Sequence, residues 1–138
     1  MIRLASNADL EAVVELEALL FPDNSMTLPR LEREARAGLL FVAGEPVHAY
    51  ALISNDRGLL DLLRLGVHPK HQKKGIGTDL LVKTIGLGRD VVLTVQKSNA
   101  HALKLYRRFG FEITGHLPTA DAWVLIRTAE RTACPTSP

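Results

Sequence analysis

One proline, three lysines and two glycines gather midway along the chain, in the segment Val67-His68-Pro69-Lys70-His71-Gln72-Lys73-Lys74-Gly75-Ile76-Gly77-Thr78. An apolar run ends at Val67, Pro69 forces a turn, and Gly75 and Gly77 stand where an amphipathic helix begins. The first turn of a helix carries unpaired N–H groups and partial positive charge, which together attract phosphate. Glycines there let the backbone approach such a group with no Cβ in the way. Lys70, Lys73 and Lys74 add counter-charge. The implied chemistry is a diphosphate seat built on the N–H groups of Gln72 to Thr78, and the competing reading is an ordinary solvated basic turn. No Gly-Lys-Ser/Thr follows, so the segment is not a P-loop. Lys73 and Leu80 stand where a dinucleotide fingerprint needs its outer glycines.

A second constellation lies on a predicted helix downstream. Asn99 and Tyr106 are seven residues apart, so they share one helix face, about 10 Å apart along the axis. Ala102 between them is small and leaves a groove. A ligand lying along it meets an amide at one end and a phenol at the other. The plain alternative makes Asn99 an N-cap and Tyr106 a core aromatic. Glu17 falls on the apolar stripe of the first predicted helix, with Leu10, Val13, Val14, Leu20 and Phe21, which puts a carboxylate at the rim of the core or in a cleft.

The elements that must position these residues follow from periodicity and turn chemistry. Ile2 to Leu4 read as a strand, and Ser6-x-x-Asp9 opens a helix in the manner of a capping box. Phe21-Pro22-Asp23-Asn24-Ser25-Met26 breaks it, and a second helix runs from about Thr27 to Gly38. Leu39 to Ala43 and Val47 to Ser54 form a hairpin about Gly44-Glu45-Pro46. Leu59 to Val67 is apolar on both faces except at Asp61 and Arg64, so it is central to a sheet. Gly66 within it marks a bulge or a close backbone approach. The helix after the phosphate loop ends near Gly86 to Gly88, a buried strand spans Asp90 to Gln96, and Ser98 or Asn99 caps a helix that reaches Phe109. Strands at Phe111 to His116 and Asp121 to Arg127 follow. The order is β-α-α-β-β-β-α-β-α-β-β, a single α/β domain over residues 1–127 with a patternless tail at 128–138. The strands flanking the phosphate loop and its helix are expected to be parallel neighbours.

Composition bounds the function. With 138 residues, 46% hydrophobic and 23% charged, the chain has the make-up of one soluble globular domain. A net charge of +2 is too small for general nucleic-acid binding. Basic residues cluster instead at the phosphate loop and again at Lys97, Lys104, Arg107 and Arg108, the latter reading as a solvated helix face. The single cysteine, Cys134, allows no internal disulfide. No apolar run reaches membrane-spanning length and no leader pattern opens the chain, so a cytoplasmic location is expected. Of the five histidines, only His68 and His71 are close, with no partner carboxylate or thiol, so no metal site is expected.

Gln72-Lys73-Lys74-Gly75-Ile76-Gly77, led in by Val67 and Pro69, resembles the acetyl-CoA pyrophosphate loop of the GCN5-related N-acetyltransferases, (Gln/Arg)-x-x-Gly-x-(Gly/Ala). Asn99, Ala102, Leu105, Tyr106, Gly110 and Phe111 are similar, in register, to that family's second signature, Asn-x-x-Ala-x-x-Leu-Tyr-x-x-x-Gly-Phe. The two motifs stand in the family's order, joined by one strand, and the resemblance covers nearly the whole chain. Shorter segments, Leu16-Glu17 with Phe21-Pro22 and Asp121-Ala122-Trp123-Val124-Leu125, look like those of the branch that acetylates ribosomal-protein N-termini.

The resemblance implies acetyl transfer from acetyl-CoA to a primary amine, by direct attack through a tetrahedral intermediate. Its cofactor residues would be Leu65, Gly66, Val67, Gln72, Lys73, Lys74, Gly75, Ile76, Gly77, Thr78, Asn99, Ala102 and Tyr106. The pantetheine would run beside Leu63 to Val67 like an added strand, and Asn99 would anchor it. An N–H near Gly66 or Val67 would hold the oxyanion. Tyr106 would be the general acid for the departing thiolate. That branch carries a glutamate where this chain has Thr94, which cannot serve as a base; Asp61, Glu17 or a water relay remain. A peptide or protein N-terminal amine is favoured as acceptor, because α-amines titrate near 8 and need less help than an alkyl amine near 10.4. The alternatives are a small-molecule amine, or a CoA-binding module without transfer activity. The protein would act as a monomer or homodimer.

Overall fold

The computed structural model describes residues 1–129. The elements are β1 (Ile2–Leu4), α1 (Leu10–Leu20), α2 (Leu28–Ala37), β2 (Leu39–Ala43), β3 (Ala49–Asp56), β4 (Leu59–Val67), α3 (Ile76–Ile85), β5 (Val91–Gln96), α4 (Ala100–Arg108), β6 (Glu112–Leu117) and β7 (Ala122–Arg127). Their order is the one expected from sequence. The second hairpin strand starts at Ala49, not Val47, because the turn takes up the residues after Ala43, where Gly44 has φ +93° and the His48 N–H returns to the Ala43 carbonyl. Cys134 and the tail beyond Ala129 lie outside the described residues.

Seven strands form one mixed sheet in the order β1-β2-β3-β4-β5-β7-β6. β4 is central, as its apolar faces require. β4 and β5 pair in parallel, and the crossover between them is the loop at 68–75 followed by α3. Each face of the sheet is covered by two helices. On one face Leu10, Val13, Leu16 and Leu31 of α1 and α2 pack on Leu40, Val42, Tyr50 and Leu52. On the other, Leu80 and Leu81 of α3 pack with Ala51, Leu62, Leu93 and Val95, and Ala102 and Tyr106 of α4 lie against the same cluster.

At the start of α1, Asp9 accepts from the Ser6 N–H at 2.8 Å and from both terminal nitrogens of Arg3 at 2.7 and 2.9 Å. The expected Ser6–Asp9 capping box is therefore present. It serves a short 3-10 turn at Asn7–Asp9 that leads into α1.

Candidate functional site

The site begins where two neighbouring strands part. β4 and β5 pair only at Leu60↔Val91 and Asp61↔Val92, although β4 continues to Val67 and β5 to Gln96. The cause lies on the other edge of β4. Leu52 pairs with Arg64 and Ile53 with Leu62, so Leu63 is an extra residue, a bulge that bends and twists the strand away from β5. The bulge is thus at Leu63, while Gly66 serves the other role anticipated for it. A Cβ on Gly66 would stand 2.8 Å from both Leu20 Cδ1 and Tyr50 Cε1.

The phase of β4 assigns its backbone groups. The His68 N–H donates to the His48 carbonyl across the β3 side, and alternation along the strand then turns Gly66 and Arg64 toward β3. Leu65 and Val67 therefore present their N–H groups to the gap. Of the two donors expected, Gly66 or Val67, the register leaves Val67, since Gly66 turns its N–H toward β3. The Val67 carbonyl faces the same way and is capped by Gln72 Nε2 at 2.9 Å.

That bond makes Gln72 a brace of the phosphate loop. The loop is also pinned from its other side, where the His71 ring stacks on His48 at 3.9 Å between centroids and 12° between planes. Burial and the neighbouring His48 and Lys74 hold the His71 pKa below its ordinary value. Lys73 at φ +66° and Gly75 at φ +82° take left-handed backbone on either side of Lys74. Such alternation turns successive N–H groups inward to form an anion nest. None of the N–H groups from Lys73 through Thr78 finds an acceptor among the described residues. A Cβ placed on Gly75 meets nothing within 4 Å, so open space lies over the nest, and on Gly77 it meets only Val67 Cγ2 at 3.7 Å. Lys70, Lys73 and Lys74 are exposed around it, and Ile76 and Thr78 begin α3 half-buried.

α4 closes the arrangement. Asn99 is its N-cap, with Oδ1 accepting from the Ala102 N–H at 3.1 Å, which leaves the two Nδ2 hydrogens without a partner among the described residues. Capping and ligand anchoring are compatible here, since one uses the amide oxygen and the other its nitrogen. Ala102 and Tyr106 pack against the cluster that also receives Leu65, Val67 and Ile76. The Tyr106 ring meets Phe111 edge-on at 5.7 Å. Its hydroxyl makes no hydrogen bond among the described residues, yet is not a fully buried orphan, so the oxygen keeps an open side. Burial raises the Tyr106 pKa and keeps the phenol protonated.

The three base candidates are separated by their surroundings. Glu17 is neither at the rim nor in a cleft; it is fully buried. Its oxygens accept from the Met26 N–H at 2.9 Å, from the Tyr50 hydroxyl and from Arg64 Nε at 3.0 Å. Every lone-pair direction that faces the protein is engaged, so Glu17 is a structural anchor. Burial and the Glu17 carboxylate raise the Tyr50 pKa far above a phenol's usual range, so Tyr50 remains the donor. Thr94 is exposed on the sheet face opposite Leu93 and Val95, with no acid beside it in β5. Asp61 is half-buried, and desolvation followed by the charge of Glu34 raises its pKa. The sequence gives no role to Tyr50 or His48, and marks Arg64 only as an exception in an apolar strand. The only visible signal was Arg64 itself, a cation inside an apolar central strand.

Comparison with known proteins bears on this geometry. Residues 36–113 match the family described as Acetyltransferase (GNAT) domain. The L-amino acid N-acyltransferase MnaT of Escherichia coli (strain K12) is 30% identical over 145 residues, covering 85% of this chain and 82% of that protein. The ribosomal-protein-S18-alanine N-acetyltransferase from Escherichia coli has the same fold, with TM-score 0.83 and 21% identity over 96% of each chain. So does yncA from Salmonella typhimurium, solved with its cofactor acetyl-CoA, with TM-score 0.77 and 24% identity over 99% of this chain and 97% of that one. A match over more than half the sequence, on a fold whose central strands part above an anion nest, means that this chain belongs to the GNAT acetyltransferase family as an acetyl-CoA-dependent N-acetyltransferase.

Proposed function

We propose that this protein acetylates an α-amine, that of a peptide or protein N-terminus, and that the parted strands β4 and β5 receive acetyl-CoA. The observation that carries the reading is the continuity between the unpaired edge of β4 and the free N–H groups of Lys73 to Thr78. An extended pantetheine fits the first and a diphosphate the second. Acetyl-CoA supplies an acyl group on a thiolate leaving group; the chain's own residues do the rest. The N–H groups of Lys73 to Thr78, with Lys70, Lys73 and Lys74, hold the diphosphate. The Leu65 and Val67 N–H groups donate into the gap, one to the acyl oxygen, where negative charge develops during attack, and one to the pantetheine. Asn99 Nδ2 donates to a pantetheine carbonyl. Tyr106 holds the proton that the departing sulfur takes up.

Both faces of the sheet carry core, but β5 is buried at Leu93 and Val95 on the α3 and α4 side and exposed at Thr94 on the other, so the amine arrives over that exposed side, beside α1. Asp61 lies on that face, and its raised pKa makes it a better proton acceptor than an ordinary carboxylate. An N-terminal α-amine near pKa 8 demands less of such a base than an alkyl amine does. A second reading, a free L-amino acid as acceptor, is favoured by the likeness to the L-amino acid N-acyltransferase over most of both chains.

Calorimetry with acetyl-CoA, run beside a free-thiol assay on N-terminal peptides, L-amino acids and a polyamine, tests both readings. Binding with thiol release on peptides supports the first, and release on amino acids alone supports the second. Gly75→Glu puts a chain and a negative charge into the open space over the nest, and we expect it to abolish acetyl-CoA binding. Undiminished binding by that variant would remove the diphosphate seat.

A further inference from the structure

Arg64 is a cation in the middle of an apolar strand, and none of the steps above uses it. Its guanidinium is spread over three elements. Nε donates to Glu17 of α1 at 3.0 Å, Nη2 donates to the Asn24 carbonyl at 2.7 Å, and the plane lies over the Phe21 ring at 4.4 Å. Glu17 in turn accepts from the Met26 N–H. Phe21, Asn24 and Met26 all belong to the segment between α1 and α2, so Arg64 holds its beginning and middle directly and its end through Glu17. Arg64 adjoins Leu65, whose N–H faces the gap. Only 16% of the Arg64 side chain is exposed and Glu17 not at all, so that ion pair is little weakened by solvent, while the bond to the Asn24 carbonyl lies at the surface.

We propose that Arg64 is a positioning residue for the acceptor: it fixes the 21–27 segment as the wall past which the incoming amine must enter. The acceptor half of this statement rests on the acetyltransferase reading. The mechanical half does not. A planar fork is needed for the task, since one edge engages a carboxylate while a second nitrogen reaches a backbone carbonyl and the face stacks on an aromatic ring. A lysine offers a single point charge. It can stay beside Glu17 and preserve charge balance, but it cannot also hold Asn24 and cover Phe21.

The test uses Arg64→Lys, with Phe21→Leu as a second, independent release of the same segment. Hydrogen exchange is measured over residues 21–27, acetyl-CoA affinity by calorimetry, and kcat and KM for the acceptor by thiol release. Both variants should exchange faster in the segment and bind acetyl-CoA as the wild type does. Arg64→Lys should raise the acceptor KM about tenfold, the worth of one charge-assisted hydrogen bond, and Phe21→Leu should raise it in the same direction, with kcat little changed in either. Unchanged exchange would show that Arg64 does not hold the segment. Faster exchange with an unchanged acceptor KM would show that the segment is not a wall of the acceptor site. A parallel fall in acetyl-CoA affinity would make Arg64 a general scaffold residue. Were the wild type to acetylate no amine, the functional reading would fall, while the exchange data would still decide the clamp.

Discussion

Replacing Tyr106 by phenylalanine removes one oxygen and nothing else that the fold uses. The hydroxyl has no hydrogen-bond partner among the described residues, and the ring keeps its edge-on contact with Phe111 at 5.7 Å. No internal hydrogen bond is lost, so the unfolding free energy should change by no more than about 0.5 kcal/mol. The effect on turnover can be bounded from chemistry. A positioned general acid contributes roughly 10²- to 10⁴-fold. The leaving thiol, with pKa about 8.5, is already more acidic than a phenol at about 10, so the proton assists departure without being indispensable. We therefore expect kcat to fall by about 10- to 100-fold, or about 1.4–2.7 kcal/mol of barrier. The acetyl-CoA dissociation constant and the thermal midpoint should hold. Thiol release at saturating acetyl-CoA, calorimetry and thermal unfolding on the same preparation read the three quantities. An acetyl-CoA affinity that falls with kcat, or a kcat that does not fall, refutes the assignment of Tyr106 as the acid.

Gly66→Ala places a Cβ 2.8 Å from Leu20 Cδ1 and from a Tyr50 ring that is fully buried and tethered to Glu17. Overpacking costs about 1–3 kcal/mol, against a gain of about 0.4–1 from stiffening the unfolded chain. A net loss in denaturant unfolding is expected, and undiminished stability would mean that Leu20 alone gives way. For Asp61, the raised pKa fixes the sign of the pH effect, because a base works only when ionised. As pH falls, kcat/KM should decline below the pKa of the amine and more steeply below that of Asp61, which lies above the usual carboxylate value. Asp61→Asn should erase the second break and lower kcat by roughly a hundredfold. Glu34→Gln, by removing a neighbouring negative charge, should move that break to lower pH. A second break that persists in Asp61→Asn would assign the base elsewhere.

Much of this protein is written in short stretches of sequence. Turn chemistry at Pro69, Gly75 and Gly110, and the apolar periods between, determine the order of strands and helices. The anion nest is local too, because free N–H groups at a helix start and a glycine at φ +82° arise from neighbouring residues. Asn99 as a cap is equally local. What the sequence left open depends on residues that meet only when the sheet assembles. Glu17 looked like a rim carboxylate because its own helix says nothing of Tyr50, 33 residues on, or Arg64, 47 residues on. Its burial follows from that meeting, since a carboxylate can leave water only where donors await it. The bulge at Leu63 belongs to the register between β3 and β4 and has no signature in β4 alone. It parts β4 from β5 and turns the Leu65 and Val67 N–H groups, in place of that of Gly66, into the gap. Local interactions therefore determined which elements form and where free N–H groups gather, while long-range pairing decided which backbone donors face the gap and which carboxylate is locked in the core.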